Sequence, residues 1–155
     1  MLDVVSGGVL TAEYCIFNKM ASGKFGIAGR TGSTLTAIDN CTFYDAAKLG
    51  KGVFAQVSAT INNCIFTTLA TGVHQTAGTV ATYNCVFYDC TAETAGTVTQ
   101  NASQTGDPKL ISAATNNFGI DTGSSAIGNG TDLGAAKDTG IASSVWGNGT
   151  TENPV

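Results

Sequence analysis

The sequence predicts an all-β chain wound into a parallel β-solenoid, with short strands stacked rung upon rung. Three observations predict it. A four-residue phrase recurs as Tyr14-Cys15-Ile16-Phe17, Asn40-Cys41-Thr42-Phe43, Asn63-Cys64-Ile65-Phe66 and Asn84-Cys85-Val86-Phe87. Its cysteines follow one another at steps of 26, 23 and 21 residues, and a period in the twenties marks stacked supersecondary units. The composition leans the same way: 20 Gly and only 12% charged residues in 155, with Thr, Ala and Asn abundant, suits strands and tight turns better than helices. No window carries apolar residues at i, i+3, i+4 and i+7 over three turns.

Taken in order, Leu2 to Phe17 reads as an incomplete first coil, with Val4, Val5, Val9 and Leu10 flanking Gly7-Gly8. Nothing amphipathic precedes it to cover the open end that a parallel stack leaves. The expectation is that a second copy or a neighbouring subunit covers this N-terminal edge, or that the chain is cut from a longer one. Each Cys-x-Phe phrase follows a Thr/Ala-rich strand: Leu10-Thr11-Ala12, Leu35-Thr36-Ala37-Ile38, Ala59-Thr60-Ile61 and Val80-Ala81-Thr82. After a loop comes a further β-run, in turn Phe25-Gly26-Ile27-Ala28, Gly52-Val53-Phe54-Ala55-Gln56, Gly72-Val73-His74-Gln75 and Gly96-Thr97-Val98-Thr99-Gln100. The Gly that recurs in these runs marks a bend. Two or three short strands per repeat is the layout of a solenoid coil. About four coils over residues 1–106 are expected, with a loop-rich capping tail over residues 107–155.

Within each phrase, Cys and Phe are two residues apart and so share a face. Stacked in parallel, Cys15, Cys41, Cys64 and Cys85 form one column, and Phe17, Phe43, Phe66 and Phe87 another, about 4.8 Å per rung. Free Cys behaves as a small buried hydrophobe. The columns are therefore read as a core ladder. A disulfide between Cys85 and Cys90 is the competing reading. Five Cys leave at least one free, and short Cys-x2-Cys zinc pairs are missing.

Seven basic against 11 acidic residues give a net charge of −4. With a lone Arg and scattered Lys there is no basic stripe to neutralise phosphates, which argues against nucleic acid and against anionic membrane surfaces. No apolar run approaches the length of a membrane span, and no signal peptide is visible at the N-terminus.

The Asn-Cys-x-Phe phrase at coil spacing resembles the repeat of the right-handed parallel β-helix of pectate-lyase-like proteins. The tail strengthens the likeness. Asp107-Pro108-Lys109-Leu110, Asn117-Phe118-Gly119-Ile120 and Gly123 to Gly134 look like the C-terminal segment of bacterial surface and secreted β-helix proteins. Ser125-Ala126-Ile127-Gly128 stands where that family carries a phrase with Pro and Asp. The resemblance implies a right-handed parallel β-helix. It implies a place on an extracellular surface or a virion, as in phage tailspike or decoration proteins, and contact with glycans. The same fold serves lyases, hydrolases and adhesins.

Catalytic sets are thin. Lyase chemistry on polyuronides needs carboxylates to hold calcium and a base to take a proton. Two residues before each Cys come Glu13, Asp39, Asn62 and Tyr83. Glu13 and Asp39 on adjacent rungs are thus weak calcium candidates, with no third acid and with Arg30 in another strand. A hydrolase needs two carboxylates across a groove. Asp45 and Asp89 lie two rungs apart, roughly 9.6 Å. The variable loops, with Asp45, Lys48, Lys51 and Asp89, form either a solvated or a binding face. His74, the single His, is expected to point outward beside Gln75, and Trp146 to cap an edge or offer a stacking platform. No catalytic residue and no cofactor is assigned. The expected role is a non-catalytic structural or adhesive module, with a C-terminal fragment of a polysaccharide lyase or glycoside hydrolase as the alternative. Ice binding through Thr34-x-Thr36 would need a regular array, and the uneven steps of 26, 23 and 21 argue against it.

Overall fold

The computed structural model describes residues 1–131 and Leu133. It is a parallel β-solenoid of five turns with three strands per turn. The first turn comprises β1 (Leu2–Val4), β2 (Val9–Glu13) and β3 (Ile16–Asn18). The second comprises β4 (Phe25–Gly29), β5 (Thr34–Asp39) and β6 (Thr42–Tyr44). The third comprises β7 (Lys51–Ala55), β8 (Ala59–Asn62) and β9 (Ile65–Thr67). The fourth comprises β10 (Thr71–Gln75), β11 (Val80–Tyr83) and β12 (Val86–Tyr88), and the fifth β13 (Ala92–Ala95), β14 (Val98–Asn101) and β15 (Gln104–Thr105). The first, second and third strands of successive turns line up as three parallel five-stranded sheets.

The Cys-x-Phe phrase turns out to be a corner as well as a strand. Tyr14, Asn40, Asn63 and Asn84 all have φ between 51° and 53°, the left-handed region that Asn tolerates better than most residues. Each corner turns the chain from the second sheet into the third. The backbone ladder runs on through it: the Asn40 N–H donates to Asn62 O and the Asn63 N–H to Tyr83 O, both at 3.0 Å. The Cys just after the bend does more than fill space. Cys64 Sγ donates to Asn62 O at 3.2 Å and to Ile38 O at 3.4 Å. Cys41 repeats the pattern on Asp39 O and Ala12 O, at 3.2 and 3.5 Å. A thiol is small enough for the inside of the corner and can still donate weakly to carbonyls there. All five cysteines are free, Cys85 and Cys90 included.

The phenylalanine column is a stack of parallel rings. Phe17–Phe43 and Phe43–Phe66 centroids lie 4.8 Å apart and Phe66–Phe87 5.0 Å, with planes within 9°. The rung spacing of the strands sets that distance. Gly26, Gly52 and Gly72 on the first sheet leave room for the rings. A Cβ at any of them would come within 2.9 Å of Phe43, Phe66 or Phe87 ring carbons respectively.

Four core columns change character at one end. Leu2, Ile27, Val53 and Val73 give way to Thr94. Ala12, Ile38 and Ile61 lead through Thr82 to Gln100. Below the four cysteines sits Ser103, whose hydroxyl lies 3.1 Å from that of Thr82. Below the four phenylalanines sits Thr105, in register with Phe87, donating to Glu93 Oε1 at 3.0 Å. The fifth turn thus ends these four columns in polar residues, while Val98 continues the Ala59–Val80 column against the core; the first turn offers Leu2, Ala12, Cys15 and Phe17.

This fifth turn corrects the four-coil expectation. Its marker phrase is gone because Ser and Thr replace Cys and Phe. The run Gly96 to Gln100 is also not one strand beside β10. Ala92–Ala95 pairs with β10, and Val98–Asn101 pairs with β11 on the second sheet.

The described part of the tail, residues 107–131, lies along the outer face of the third sheet. Its strands β16 (Leu110–Ser112) and β17 (Asn117–Ile120) form an antiparallel pair joined through a 3-10 turn at Ala113–Thr115. The outward residues Ile65 and Val86 are buried beneath Ala126 and Ile120. The corner amides fasten the far end: Asn63 Nδ2 donates to Thr131 O and the Thr131 N–H donates to Asn63 Oδ1, both at 2.9 Å. Asn84 Nδ2 donates to Thr131 Oγ1. The turn at the other end reaches the first coil, where Asn18 Nδ2 donates to Asn116 Oδ1 at 2.9 Å.

Candidate functional site

The variable loops do fall on one side, at the corners that lead from the third sheet to the first. Their charged residues are not gathered into a site. Asp45 is buried at 3% exposure, and its carboxylate is turned into its own loop. It accepts from the Ala47, Leu49 and Gly50 N–H groups at 3.3, 3.0 and 2.7 Å. Lys48 reaches across two turns to Asp89, Nζ to Oδ1 at 2.5 Å. Asp45 and Asp89 therefore hold the loop and the flank rather than facing each other across a groove. Asp45→Ala is expected to cost about 2–3 kcal/mol, because it strands N–H donors including that of buried Gly50. Lys48→Ala is expected to cost under about 1 kcal/mol, since that pair is exposed. Urea unfolding midpoints check both.

Glu13 and Asp39 are brought into register on adjacent strands, as their spacing before Cys requires. Asp39 is buried and accepts from Asn62 Nδ2 at 2.7 Å. Among the described residues, no three His, Cys, Asp or Glu side chains group as a cation site.

His74 faces outward, next to inward Val73 and beside Gln75. It is half-buried on the first sheet, its ring edge-on to Phe54 at 5.5 Å between centroids. Partial burial, and then the charge of Lys51, hold its pKa below the ordinary value. Lys51 itself lies over the Phe25 ring at 5.5 Å and Arg30 over Phe54 at 5.2 Å, while Phe25 and Phe54 stack at 4.6 Å. The Nδ1 atom of His74 is buried with no hydrogen-bond partner among the described residues. Trp146 lies outside the described residues.

Cys90 sits at the second kind of corner, just after Asp89 with φ 50°. Its thiol donates to Phe66 O at 3.5 Å, and burial pushes its pKa up to about 11. The folded state therefore favours the neutral thiol. The resulting stability is fully present below the ordinary value of 9.0 and is lost as pH rises through about 11. Buried Cys64, also pushed up, adds in the same direction. Cys90→Ser is expected to flatten the alkaline limb of a stability-against-pH profile measured by urea unfolding.

One groove lies where the sequence pointed to none. It occupies about 270 Å³ between the third sheet and the tail. Tyr44 and Tyr88 flank Thr67 in a single column of that sheet, and Asp107, Pro108 and Ser112 form the opposite wall. Tyr44 and Tyr88 each directly follow a Cys-x-Phe phrase. That was the available signal, an outward aromatic recurring at the same place in two repeats.

Compared with protein-family models, with curated proteins and with solved structures, the chain matches none. The molecule is a parallel β-solenoid. Among the described residues no helix is long and apolar enough to cross a membrane.

Proposed function

We propose that the chain is a non-catalytic structural or adhesive β-solenoid module whose first turn is built to be continued by a neighbour. The observation that carries this reading is the contrast between the two ends of the core. Polar residues close the four columns at the fifth turn, whereas at the first turn Leu2, Cys15 and Phe17 stay partly exposed. The acids support it too, since Asp45, Asp89 and Asp39 each have a structural partner. The resemblance to pectate-lyase-like and surface β-helix proteins extends the proposal to the outside of a particle or cell. For a glycan contact, the groove between the third sheet and the tail is lined by the Tyr44 and Tyr88 rings, with Ser112 and Asp107 as polar residues on its wall.

The test is to incubate the intact chain with acidic and neutral polysaccharides, following unsaturated uronide absorbance and new reducing ends. No product is the expected result. Product formation that Glu13→Gln or Asp89→Asn abolishes would replace this reading with that of a lyase or hydrolase fragment.

A further inference from the structure

We infer that the groove between the third sheet and the tail holds a stretch of uncharged oligosaccharide lying along the solenoid axis. This ligand assignment rests on the glycan-contact reading above and narrows it to neutral sugars. Tyr44, Thr67 and Tyr88 belong to the second, third and fourth turns and fall in one column of the third sheet. Tyr44 and Tyr88 are therefore two rungs apart, roughly 9.6 Å along the axis. Buried Thr67 is the floor between them. The tail supplies the side wall, running from Asp107, just past the fifth turn, back to the first turn, where Asn116 meets Asn18. The result is a trough of about 270 Å³, near the lower end of small-molecule sites. Its run along the column suits a short chain of linked rings. Phe118 of β17 stands edge-on to Tyr44 at 5.8 Å between centroids and steadies that ring, while Tyr88 is 38% exposed.

The chemistry of the lining selects the ligand. Tyrosine offers an apolar ring face with a polar tip, and a pyranose offers C–H groups on its faces and hydroxyls around its rim. Pro108 and Leu110 add apolar wall. Among the described residues, Asp107 is the one charged group of the lining, and a carboxylate only accepts hydrogen bonds. Its Oδ1 takes the Lys109 N–H at 2.7 Å, which leaves Oδ2 to take a donor from the ligand. Ser112 Oγ accepts from Thr115 Oγ1 at 2.7 Å, so its own O–H is left to donate. Sugar hydroxyls both donate and accept, and they match the two groups. A proline-rich peptide also suits aromatic grooves, but it brings carbonyl acceptors and few donors, and leaves Asp107 unmatched. A polyuronide would set its carboxylates against Asp107, a like-charge contact. The nearby cations do not offset it. Lys48 is paired with Asp89, and Lys109 Nζ donates to Thr122 O at 3.4 Å.

The experiment is calorimetric titration of the intact chain with neutral tetrasaccharides of the glucan, mannan and galactan series, beside a tetragalacturonate and a decaproline peptide. At least one neutral tetrasaccharide is expected to bind, with the acidic and peptide probes weaker by about tenfold or more. Tyr88→Ala is expected to weaken that binding roughly tenfold with the urea midpoint little changed. Tyr88→Phe keeps the ring and should keep the affinity. Should Tyr88→Ala disturb folding, Asp107→Asn serves instead. That side chain is exposed, and loss of its charge should weaken the neutral sugar and narrow its lead over tetragalacturonate. Lys51→Ala, on the first sheet, is expected to leave binding unchanged. No binding by any of the neutral sugars would overturn the inference. So would a preference for tetragalacturonate or decaproline, or binding that the folded Tyr88 and Asp107 variants leave intact. Cleavage of a polysaccharide would instead overturn the non-catalytic reading without reordering these affinities, so the two failures are distinguishable.

Discussion

Gly52→Ala is expected to destabilise the protein by about 3 kcal/mol or more, at the upper end of overpacking effects. The added Cβ would lie 2.5 Å from Gly72 O and 2.7 and 2.8 Å from Phe66 ring carbons. The carbonyl belongs to the next rung and cannot withdraw without breaking the ladder. The ring is held between two others and cannot tilt away. Gly23→Ala is the informative comparison. Its Cβ would meet nothing within 4 Å, and its φ is +68°. It should therefore cost only the roughly 1–2 kcal/mol of a left-handed residue that is not Gly. Urea unfolding of the two variants separates lack of space from backbone conformation. Equal losses would mean that the glycine column does not abut the ring stack.

Phe66→Ala is expected to cost about 3–5 kcal/mol, the range for emptying a buried aromatic site. Phe66 is fully buried and has a ring stacked on each face, Phe43 at 4.8 Å and Phe87 at 5.0 Å. Strand spacing fixes the neighbours, so the cavity cannot collapse along the stack. Phe17→Ala should cost clearly less. That ring has a single stacked neighbour and is already half-exposed at the open turn. A loss at Phe17 as large as at Phe66, in denaturant titrations of the isolated chain, would indicate that another surface covers the first turn in solution.

The architecture was legible because the repeat puts the same residue types at the same place in every coil. Cys-x-Phe fixed which residues share the interior, and the recurring Gly marked where the first sheet crowds the rings. The fifth turn was not legible in the same way. Its job is to end an apolar core, and doing so replaces Cys with Ser103 and Phe with Thr105, the residues by which a repeat is recognised. The corner role of Asn was hidden by its ordinary abundance in turns. Asp45 illustrates the limit for single side chains. Its neighbours in sequence mark a loop, but a carboxylate in a loop can face solvent or fold back on its own N–H groups. The closure from Asp45 to Gly50 decided for the second. The groove at Tyr44 and Tyr88 needed both the column and the wall opposite, and that wall comes from a segment about twenty residues past the fourth coil.

By itself, the sequence determined the stack: a period in the twenties with apolar residues at fixed offsets leaves parallel rungs as the way to bury them together. Tertiary structure alone decided which ends and faces stay open. The tail's side, the inward turn of Asp45, and the polar close of one end against the apolar opening of the other arise from contacts between residues far apart in the chain. No local pattern specifies such contacts, because each depends on what the rest of the chain has already covered.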